Sequence, residues 1–267
     1  MPFATNGAVQ IYWRATGQGQ PLLLIMGLGY SSDMWYHIEA GLAEHFRVIV
    51  FDNRGIGKSP VVPGPHLVPT MAADAAAVLD AAGERSAFVF GLSMGGFIAQ
   101  ELALANPERV RALILGCTAC GGAHVVPAKP IVIETLMARA HMPPEQGIRA
   151  MLPYVYDAGT PPDRIESDLA MRLANYPDPE VYLGQIAGIS LWQSCDRLHL
   201  LKMPTLILHG DGDLLIPPEN GHLLHSHIAN SRLIIIPRAS HVFTTDQPET
   251  SIRHITDFLV SQKSTAM

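Results

Sequence analysis

The strongest constraint on the fold of this chain is a short glycine-rich segment, residues 91–96, with the sequence GLSMGG. It follows an apolar run at 87–90 and precedes a helix-like pattern at 97–105, so a strand must pass into a helix within a few residues. Such a turn predicts a strained backbone at Ser93, an exposed hydroxyl, and a free N–H at Met94 that could bind an oxyanion. The segment therefore predicts a nucleophilic serine. The alternative is an ordinary turn in which the serine caps the helix.

Two later segments carry the other groups that a catalytic serine needs. Residues 204–217 have the pattern of a buried strand that runs into a loop with Asp211 and Asp213. Residues 232–243 have the pattern of a strand followed by a loop with His241. Both loops leave the carboxyl ends of strands, where ligands bind in open parallel α/β sheets. The order along the chain is therefore serine, acid, histidine.

With these features the chain resembles the α/β-hydrolase superfamily, in its small, capped, esterase- and enol-lactonase-like branch, over nearly its whole length. Residues 26–29 (MGLG) resemble the oxyanion loop of that family, which usually reads His-Gly-x-Gly. Residues 51–59 (FDNRGIGKS) resemble its Asp-x-Arg-Gly-x-Gly-x-Ser turn, and residues 209–217 resemble its acid loop. The resemblance implies an α/β-hydrolase fold: a mostly parallel central sheet with helices on both faces and an inserted helical cap.

The resemblance places catalytic roles on Ser93, Asp213 and His241. His241 would take the proton of the serine hydroxyl and return it to the leaving group, while Asp213 would fix the tautomer of the imidazole ring. The family pattern favours Asp213, the second aspartate of its loop, over Asp211. For Asp211 we expect a turn carboxylate that bonds its own backbone, and for His209 a hydrogen bond to backbone at the strand end.

An oxyanion hole and a substrate pocket follow from the same resemblance. The backbone N–H groups of Leu28 and Met94 are the expected oxyanion donors. Met26 stands where many relatives have histidine, which we interpret as a change in the support of the loop. The pocket should be mainly apolar, because residues near the motifs and in the cap are apolar and adaptable. The predicted pocket residues are Trp35, Gly29, Trp192 and Met137.

The hydrophobic pattern divides the chain into a core and an insertion. Alternating strand and helix patterns occupy residues 1–118 and 203–267, which we predict form the α/β-hydrolase core. Residues 119–202 carry many prolines and short helix-like stretches, and they predict a helical cap over Ser93. Residues 261–267 have the composition of a loose tail.

Composition excludes several partners. A length of 267 residues with 48% hydrophobic content suits one catalytic domain with an insertion. The formal net charge of −6, from 18 basic and 24 acidic residues, and the lack of a basic run argue against nucleic acid and anionic membrane surfaces. The first residues lack a charged lead and an apolar stretch, and no segment approaches the roughly 18 apolar residues of a membrane span. These features predict a cytoplasmic protein, and they favour no particular oligomeric state.

Cysteine and histidine patterns give no sign of a metal or cofactor. Three cysteines do not make a disulfide framework, and an odd count suits a reducing compartment. The one C-x-x-C pair lacks a second pair or a histidine cluster that would complete a zinc site. Three histidines on a predicted helix after residue 218 lack the H-E-x-x-H spacing, so we interpret them as a polar face. The residues in question are Cys117, Cys120, Cys195, His222, His225 and His227.

The resemblance implies hydrolysis of a small apolar carboxylic ester or lactone through a serine acyl-enzyme, without metal or cofactor. Serine at the turn argues against dehalogenase and epoxide-hydrolase chemistry, because those relatives use aspartate there. Carbon–carbon bond hydrolases and cofactor-free perhydrolases share the triad, so both stay open as alternatives. A non-catalytic module that binds a small ligand is a further alternative, because fold does not fix function.

Overall fold

A computed structural model describes residues 2–263, and within that range the chain forms one eight-stranded sheet. The strands are β1 (Phe3–Asn6), β2 (Val9–Thr16), β3 (Pro21–Ile25), β4 (Arg47–Phe51), β5 (Ala87–Leu92), β6 (Val110–Gly116), β7 (Thr205–Gly210) and β8 (Ser231–Ile236). Their order is β1-β2-β4-β3-β5-β6-β7-β8. β2 pairs antiparallel with β1 and β4, and every other pairing is parallel. The predicted mostly parallel sheet is confirmed.

Helices cover both faces of this sheet. They are α1 (Tyr36–Ala43), α2 (Val68–Ala81), α3 (Met94–Ala105), α4 (Pro130–Ala138), α5 (Pro144–Val155), α6 (Pro162–Ala174), α7 (Pro179–Ser190), α8 (Glu219–His227), α9 (Phe243–Asp246) and α10 (Pro248–Lys263). One core cluster joins the sheet to α2, α3 and α8, and a second joins it to α1 and α10. The predicted α/β-hydrolase fold is thereby confirmed.

Strand β3 shows why the sheet strands are apolar throughout. Leu23 and Ile25 lie in the core cluster on one face, whereas Leu22 and Leu24 lie in the cluster on the other. Successive side chains of a strand point to opposite faces, so a strand covered on both sides needs apolar residues at every position. The same requirement explains the continuous apolar runs of the other central strands. It also leaves polar chemistry to the loops at the carboxyl ends of the strands.

The segment 119–202, called the helical insertion below, lies between β6 and β7 and contains α4 to α7. Each of these four helices has proline at its first position. Proline suits that position because its fixed φ fits a helix and its missing N–H would have no partner there. Four of the nine prolines in this segment are therefore helix starts. The structure describes all of its residues, and its one β-pairing is an isolated bridge between Gly121 and Gln193.

The base of the helical insertion is closed by a disulfide that the sequence did not predict. Cys120 and Cys195 are bonded across 75 residues, with their Cα atoms 5.0 Å apart. Ser194 N–H also donates to Cys120 O at 2.7 Å, so the two ends of the insertion run side by side. Sequence reasoning expected no disulfide framework and missed this bond, because the chain path that brings the two cysteines together is a tertiary feature. Cys117 is the free, buried cysteine.

A buried carboxylate in α6 fastens the insertion to the core. Asp168 accepts hydrogen bonds from Tyr36 OH at 2.5 Å, Thr245 Oγ1 at 2.7 Å and Tyr156 OH at 2.9 Å. His37 Nε2 lies 3.1 Å from it. Burial alone would raise the pKa of Asp168, but these hydrogen bonds lower it below its usual value. The carboxylate therefore stays charged and links α6 to α1 and α9.

Helices α8 and α10 test two further expectations. The three histidines of α8 are exposed, which agrees with a polar helix face. The loose tail was predicted to begin at residue 261, but α10 continues through Lys263, so this boundary was too early. The polar residues at the end of α10 suggested a tail, but they form the last turn of the helix. Residues 264–267 of the predicted tail lie outside the described residues.

Candidate active site

Ser93 occupies a sharp turn between β5 and α3, with φ of 57° and ψ of −122°. Positive φ is rare for a residue with a side chain and is strained. Ser93 N–H donates to Gly116 O at 2.8 Å, and Thr118 Oγ1 donates to Ser93 O at 2.8 Å. The end of β6 therefore holds the turn in place. The side chain of Ser93 keeps partial exposure while both neighbours are buried.

The glycines around Ser93 are required by close backbone contacts. A Cβ at position 91 would lie 2.1 Å from Gly95 O, and a Cβ at position 95 would lie 2.0 Å from Ile25 O. Real Cβ atoms do not approach backbone oxygens so closely, so a side chain at either position would displace the turn. The glycines thus allow α3 to start directly over the end of β3.

Asp213 and His241 form a buried hydrogen-bonded pair after β7 and β8. His241 Nδ1 lies 2.9 Å from Asp213 Oδ2. The other oxygen, Oδ1, accepts the N–H groups of Leu215 and Ile216 at 2.9 Å each. Burial raises the pKa of Asp213, but His241, His209 and their hydrogen bonds outweigh it and lower the pKa overall. A charged Asp213 beside Nδ1 leaves Nε2 of the ring for a reacting partner.

Asp211 and His209, which lie near Asp213 in the sequence, have different positions relative to the Asp213–His241 pair. Asp211 is exposed, and its Oδ1 accepts the N–H of Ala239 at 3.3 Å, in the histidine loop. It therefore bonds backbone, as expected, but across two loops rather than within its own turn. His209 Nε2 lies 2.7 Å from Ile216 O and 3.4 Å from Asp213 Oδ2. His209 thus bonds backbone at the strand end, as predicted, and also borders the acid.

Two peptide N–H groups beside Ser93 are free to bind an anion. Within residues 2–263, the N–H groups of Leu28 and Met94 donate to no acceptor. The neighbouring Gly29 N–H, by contrast, donates to Gln185 Oε1 of α7 at 2.9 Å. Met94 is the first residue of α3, where the helix dipole favours negative charge. These are the two donors that the sequence motif indicated.

The loop that carries Leu28 is supported by the segment that resembles the Asp-x-Arg-Gly turn. Asn53 Nδ2 donates to Met26 O at 2.9 Å, so an asparagine side chain braces this loop. Arg54 forms a buried two-pronged ion pair with Asp74, both N···O distances being 2.6 Å. Residues 51–59 therefore have a structural role, because they hold the loop of residues 26–29 that faces Ser93.

Ser93 and His241 line one enclosed cavity of about 30 Å³, called the Ser93 cavity below. Its wall combines the strand-end loops with side chains of the helical insertion and is mainly apolar. The lining residues are Gly27, Leu28, Tyr30, Leu92, Ser93, Leu136, Arg139, Met151, Val155, Leu215, His241 and Val242. Within residues 2–263, no hydrogen bond joins Ser93 Oγ to His241.

None of the four predicted pocket residues lines this cavity. Trp35 is fully buried beneath the sheet, with its ring 5.1 Å from Phe90, because the turn before α1 directs it into the core. Trp192 stacks on Phe97 at 5.1 Å and donates Nε1–H to Glu101 Oε2 at 2.7 Å. It therefore fastens the insertion to α3. The position of Trp35 near a motif and of Trp192 in the insertion did not determine which way their rings point.

Gly29 and Met137 also need correction. Gly29 has φ of 71°, and a Cβ there would lie 3.0 Å from the Tyr182 ring, so it lets α7 approach the oxyanion loop. Met137 is 42% exposed, whereas the preceding Leu136 lines the cavity. Successive helix residues point about 100° apart, so an error of one position turns a lining residue outward.

Sequence reasoning did not identify Arg139, Leu136 or Tyr30 as site residues. Arg139 stands directly after α4 and was hidden by its apolar surroundings in the sequence. An isolated arginine in a proline-rich apolar segment was the signal that could have indicated it. Tyr30 directly follows residues 26–29, so its position next to that motif could have indicated it.

A candidate metal cluster lies beside the acid. Cys117, His209 and Asp213 each offer one ligand atom within 4.8 Å of the others, and all three are buried. Burial and the nearby Asp213 raise the pKa of the Cys117 thiol, which keeps it protonated. The oxygens of Asp213 already accept backbone and histidine hydrogen bonds. A protonated thiol and a carboxylate that is already hydrogen-bonded are suited to holding His241 in place by hydrogen bonds rather than to binding a metal ion.

Comparison with known proteins places this architecture in a family. Residues 20–146 match the family model described as the alpha/beta hydrolase fold. A candidate carbamate hydrolase, RutD, of Azorhizobium caulinodans is 32% identical over 93% of this chain and 94% of its own length. Among solved structures, a thermophilic esterase from Thermogutta terrifontis is similar, with a TM-score of 0.86, 30% identity, and 98% of each chain covered.

An enol-lactonase from Burkholderia xenovorans LB400 is similar too, with a TM-score of 0.86 and 25% identity over 97% of this chain and 100% of that one. No helix within residues 2–263 combines the length and apolar character that crossing a membrane requires. The strained serine turn, the strand order and these relatives agree with one another. The chain belongs to the α/β-hydrolase superfamily and is a hydrolase of its esterase- and lactonase-like part.

Proposed function

We propose that this protein hydrolyses a carboxylic ester or lactone through a serine acyl-enzyme. Ser93 is the nucleophile, His241 the general base and acid, and Asp213 the residue that orients the imidazole. The observation that carries the proposal is that the strained Ser93 and His241, which is paired with Asp213 at 2.9 Å, line the same cavity. A nucleophile, a base and an orienting acid are the three parts of this chemistry.

The reaction follows from the positions of these groups. Ser93 Oγ attacks the carbonyl carbon while its proton passes to His241 Nε2, and the carbonyl oxygen becomes an oxyanion between the N–H groups of Leu28 and Met94. The tetrahedral intermediate collapses, the alcohol leaves with the proton from His241, and the acyl group stays on Ser93. Water then attacks the carbonyl carbon of the acyl-enzyme while His241 takes its proton. The second tetrahedral intermediate collapses, the acid is released, and His241 returns the proton to Ser93 Oγ. No metal or organic cofactor has a part in this sequence.

The proposal requires Ser93 Oγ to come within about 2.6–3.2 Å of His241 Nε2. Catalytic hydrogen bonds are often longer without substrate and tighten in the complex. His241 is well placed for this, because Asp213 and the loop after β8 hold the ring while Ser93 is free to rotate about its Cα–Cβ bond. Filling of the cavity by the substrate selects the rotamer that points to the imidazole.

In this proposal the helical insertion acts as a cap. A cavity of about 30 Å³ is small for an ester substrate, so we expect side chains of the wall to move when substrate enters. A larger apolar groove of about 460 Å³ lies next to it and shares Leu136 and Leu215 with its wall. These two leucines are the partition through which a substrate chain passes between groove and cavity.

A substrate panel tests the proposal. The panel holds p-nitrophenyl esters, simple alkyl esters and lactones, with carbamates, vinylogous diketones and peracid formation as the competing chemistries. We expect hydrolysis of esters or lactones by the wild type and its loss in Ser93→Ala. Turnover confined to diketones or peracids would replace the ester proposal. A Ser93→Ala variant with unchanged hydrolysis, or a folded wild type that binds apolar ligands without turnover, would refute it.

A further inference from the structure

One wall of the Ser93 cavity carries a buried cation without a counter-ion. Arg139 follows α4 directly, lines the cavity together with Ser93, and is only 3% exposed. Its Nε is buried and has no hydrogen-bond partner. Within residues 2–263, no carboxylate oxygen lies within 4.0 Å of its guanidinium nitrogens. The guanidinium stays charged under all ordinary conditions.

The surroundings of Arg139 compensate this charge only in part. The guanidinium carbon lies 4.6 Å from the centre of the Tyr182 ring, a cation–π contact. No aspartate or glutamate of the described residues lines the cavity, and most of its wall is apolar. Burial opposes the charge of Arg139, and the neighbouring Tyr182, Tyr30 and Tyr176 outweigh this effect and raise its pKa. These tyrosines supply no counter-ion, so a desolvation penalty remains. A residue kept in this position despite that penalty is suited to bind an anion that arrives with the substrate.

A second buried arginine of the insertion lies behind the cavity wall, against Tyr30. Arg172 of α6 is 4% exposed, lies 4.6 Å from the ring centre of Tyr30, and its three guanidinium nitrogens are buried without hydrogen-bond partners. Tyr30 in turn lines the Ser93 cavity. The negative charge closest along α6, Asp168, is engaged with hydroxyl groups and His37. Among the residues that line the cavity, Arg139 is the charged side chain that the insertion supplies.

We propose that Arg139 binds a carboxylate of the substrate, so that the substrate class is the half-ester of a dicarboxylic acid or a lactone that carries a carboxylate. This inference rests on the proposed ester or lactone hydrolysis and differs from the expectation of a small apolar substrate. A guanidinium binds a carboxylate through two parallel, charge-assisted hydrogen bonds, which gives both affinity and orientation. The apolar wall between Arg139 and Ser93 accommodates the methylene groups that separate the carboxylate from the scissile bond.

Matched substrate pairs test this assignment in the wild type. Monoethyl succinate, glutarate and adipate are compared with ethyl esters of equal chain length that end in a methyl group. At one chain length, we expect kcat/KM for the half-ester to exceed that of its neutral partner by about tenfold or more, as a charged hydrogen bond implies. A preference for the neutral ester at every length, measured with an active enzyme, would overturn the inference and leave the proposed function intact.

Three variants locate the effect. Arg139→Met should lower kcat/KM for the preferred half-ester about 10- to 100-fold and change that for the neutral ester less than about threefold. Arg139→Lys should retain part of the preference, because it keeps the charge without the fork. The control is Arg149→Met, which removes an exposed arginine of the same insertion that pairs with Glu145 and Glu166. It should leave both substrates unchanged.

Binding of carboxylates to the intact protein separates this inference from the proposed function. Glutarate and adipate should raise the melting temperature of the wild type but not of Arg139→Met, whether or not any ester is hydrolysed. The melting temperature of the unliganded Arg139→Met variant should not fall, because an apolar side chain replaces an unpaired buried cation. Equal loss of activity on both substrates together with a lower melting temperature would assign Arg139 a purely structural role and overturn the inference.

Discussion

The strand-end loops and the helical insertion meet at the Ser93 cavity, but they contribute to it in different ways. The loops position chemistry through the backbone: a positive φ at Ser93, a free N–H at Leu28, and two N–H groups on Asp213. The insertion contributes side chains from helices, with Leu136 and Arg139 as examples. Backbone constraints leave glycines and fixed spacings in a sequence, whereas helix-borne side chains leave none. The loops are therefore suited to the reaction itself and the insertion to the choice of substrate.

The largest expected effect lies in the loops. His241→Ala should lower kcat for ester hydrolysis by about 10⁴-fold or more, because Ser93 loses its base. The double variant with Ser93→Ala should fall no further, since members of one catalytic unit do not act additively. His222→Ala, an exposed histidine of α8, is the matched control and should keep the wild-type rate. A decrease of less than tenfold in kcat for His241→Ala, measured at steady state, would contradict the assignment of the reaction to the loops.

The next effect concerns the base of the insertion. Cys195→Ser should lower the free energy of unfolding by about 2–4 kcal/mol, because the disulfide with Cys120 restricts the unfolded chain. Reductant should produce a similar loss in the wild type and none in the variant. Alkylation of the unreduced, denatured protein should modify one cysteine, Cys117, and reduction should raise the count to three. Three reactive thiols without reductant would show that the bond does not form.

A third effect tests the junction of the two regions. Asp246 accepts Ser240 N–H at 2.7 Å from the histidine loop and Thr160 Oγ1–H at 2.6 Å from the insertion. Its burial outweighs these hydrogen bonds and raises its pKa to about 6. Because the unfolded value is near 3.9, the folded state binds the extra proton between these pH values. The stabilisation from this group is therefore present below pH 4 and is lost as the pH rises to about 6.

Asp246→Asn removes this titration. Urea unfolding at pH 4 and pH 7.5 should show the wild type losing about 3 kcal/mol relative to the variant on going to the higher pH. Asp213 has the opposite sign, because its lowered pKa gives stability above pH 4 that is lost in acid. The exposed Asp211→Asn variant is the control and should follow the wild type. A constant difference between wild type and Asp246→Asn at both pH values would contradict the assignment.

The smallest effect asks whether the insertion also reaches the oxyanion loop. Gln185→Leu removes the acceptor of Gly29 N–H and should lower kcat about tenfold with little change in KM, because the adjacent Leu28 N–H loses its fixed direction. Asn53→Ala, which frees Met26 O on the core side, should have a similar effect. Glu180→Gln, at an exposed residue of the same helix α7, is the control. A change in KM alone would assign Gln185 to substrate binding instead.

The same division explains how far sequence reasoning could go. The fold followed from apolar strands and from a serine turn whose glycines have no steric alternative, as the 2.0 Å approach of a Cβ at position 95 shows. The Asp213–His241 pair followed from two strand-end loops in the order of a known family. Which aspartate pairs with the histidine rested on that family pattern, and the 2.9 Å contact gives it a geometric basis.

The pocket lining could not be predicted, because it depends on helix phase and on the docking of the insertion. Met137 and Leu136 are neighbours in the sequence, yet one is exposed and the other lines the cavity. Trp35 and Trp192 are large apolar residues near the right segments, but core packing and the Glu101 carboxylate determine their direction. The pairing of Cys120 with Cys195 likewise depends on where the insertion returns to the core.

The most direct test of the central claim is the reaction of Ser93 with a fluorophosphonate, followed by mass spectrometry of the peptide that contains it. If His241 activates the serine, the wild type should take up one equivalent on Ser93, and folded His241→Ala should react at least about 1000-fold more slowly. An unlabelled wild type, or equal labelling of both proteins, would contradict the account.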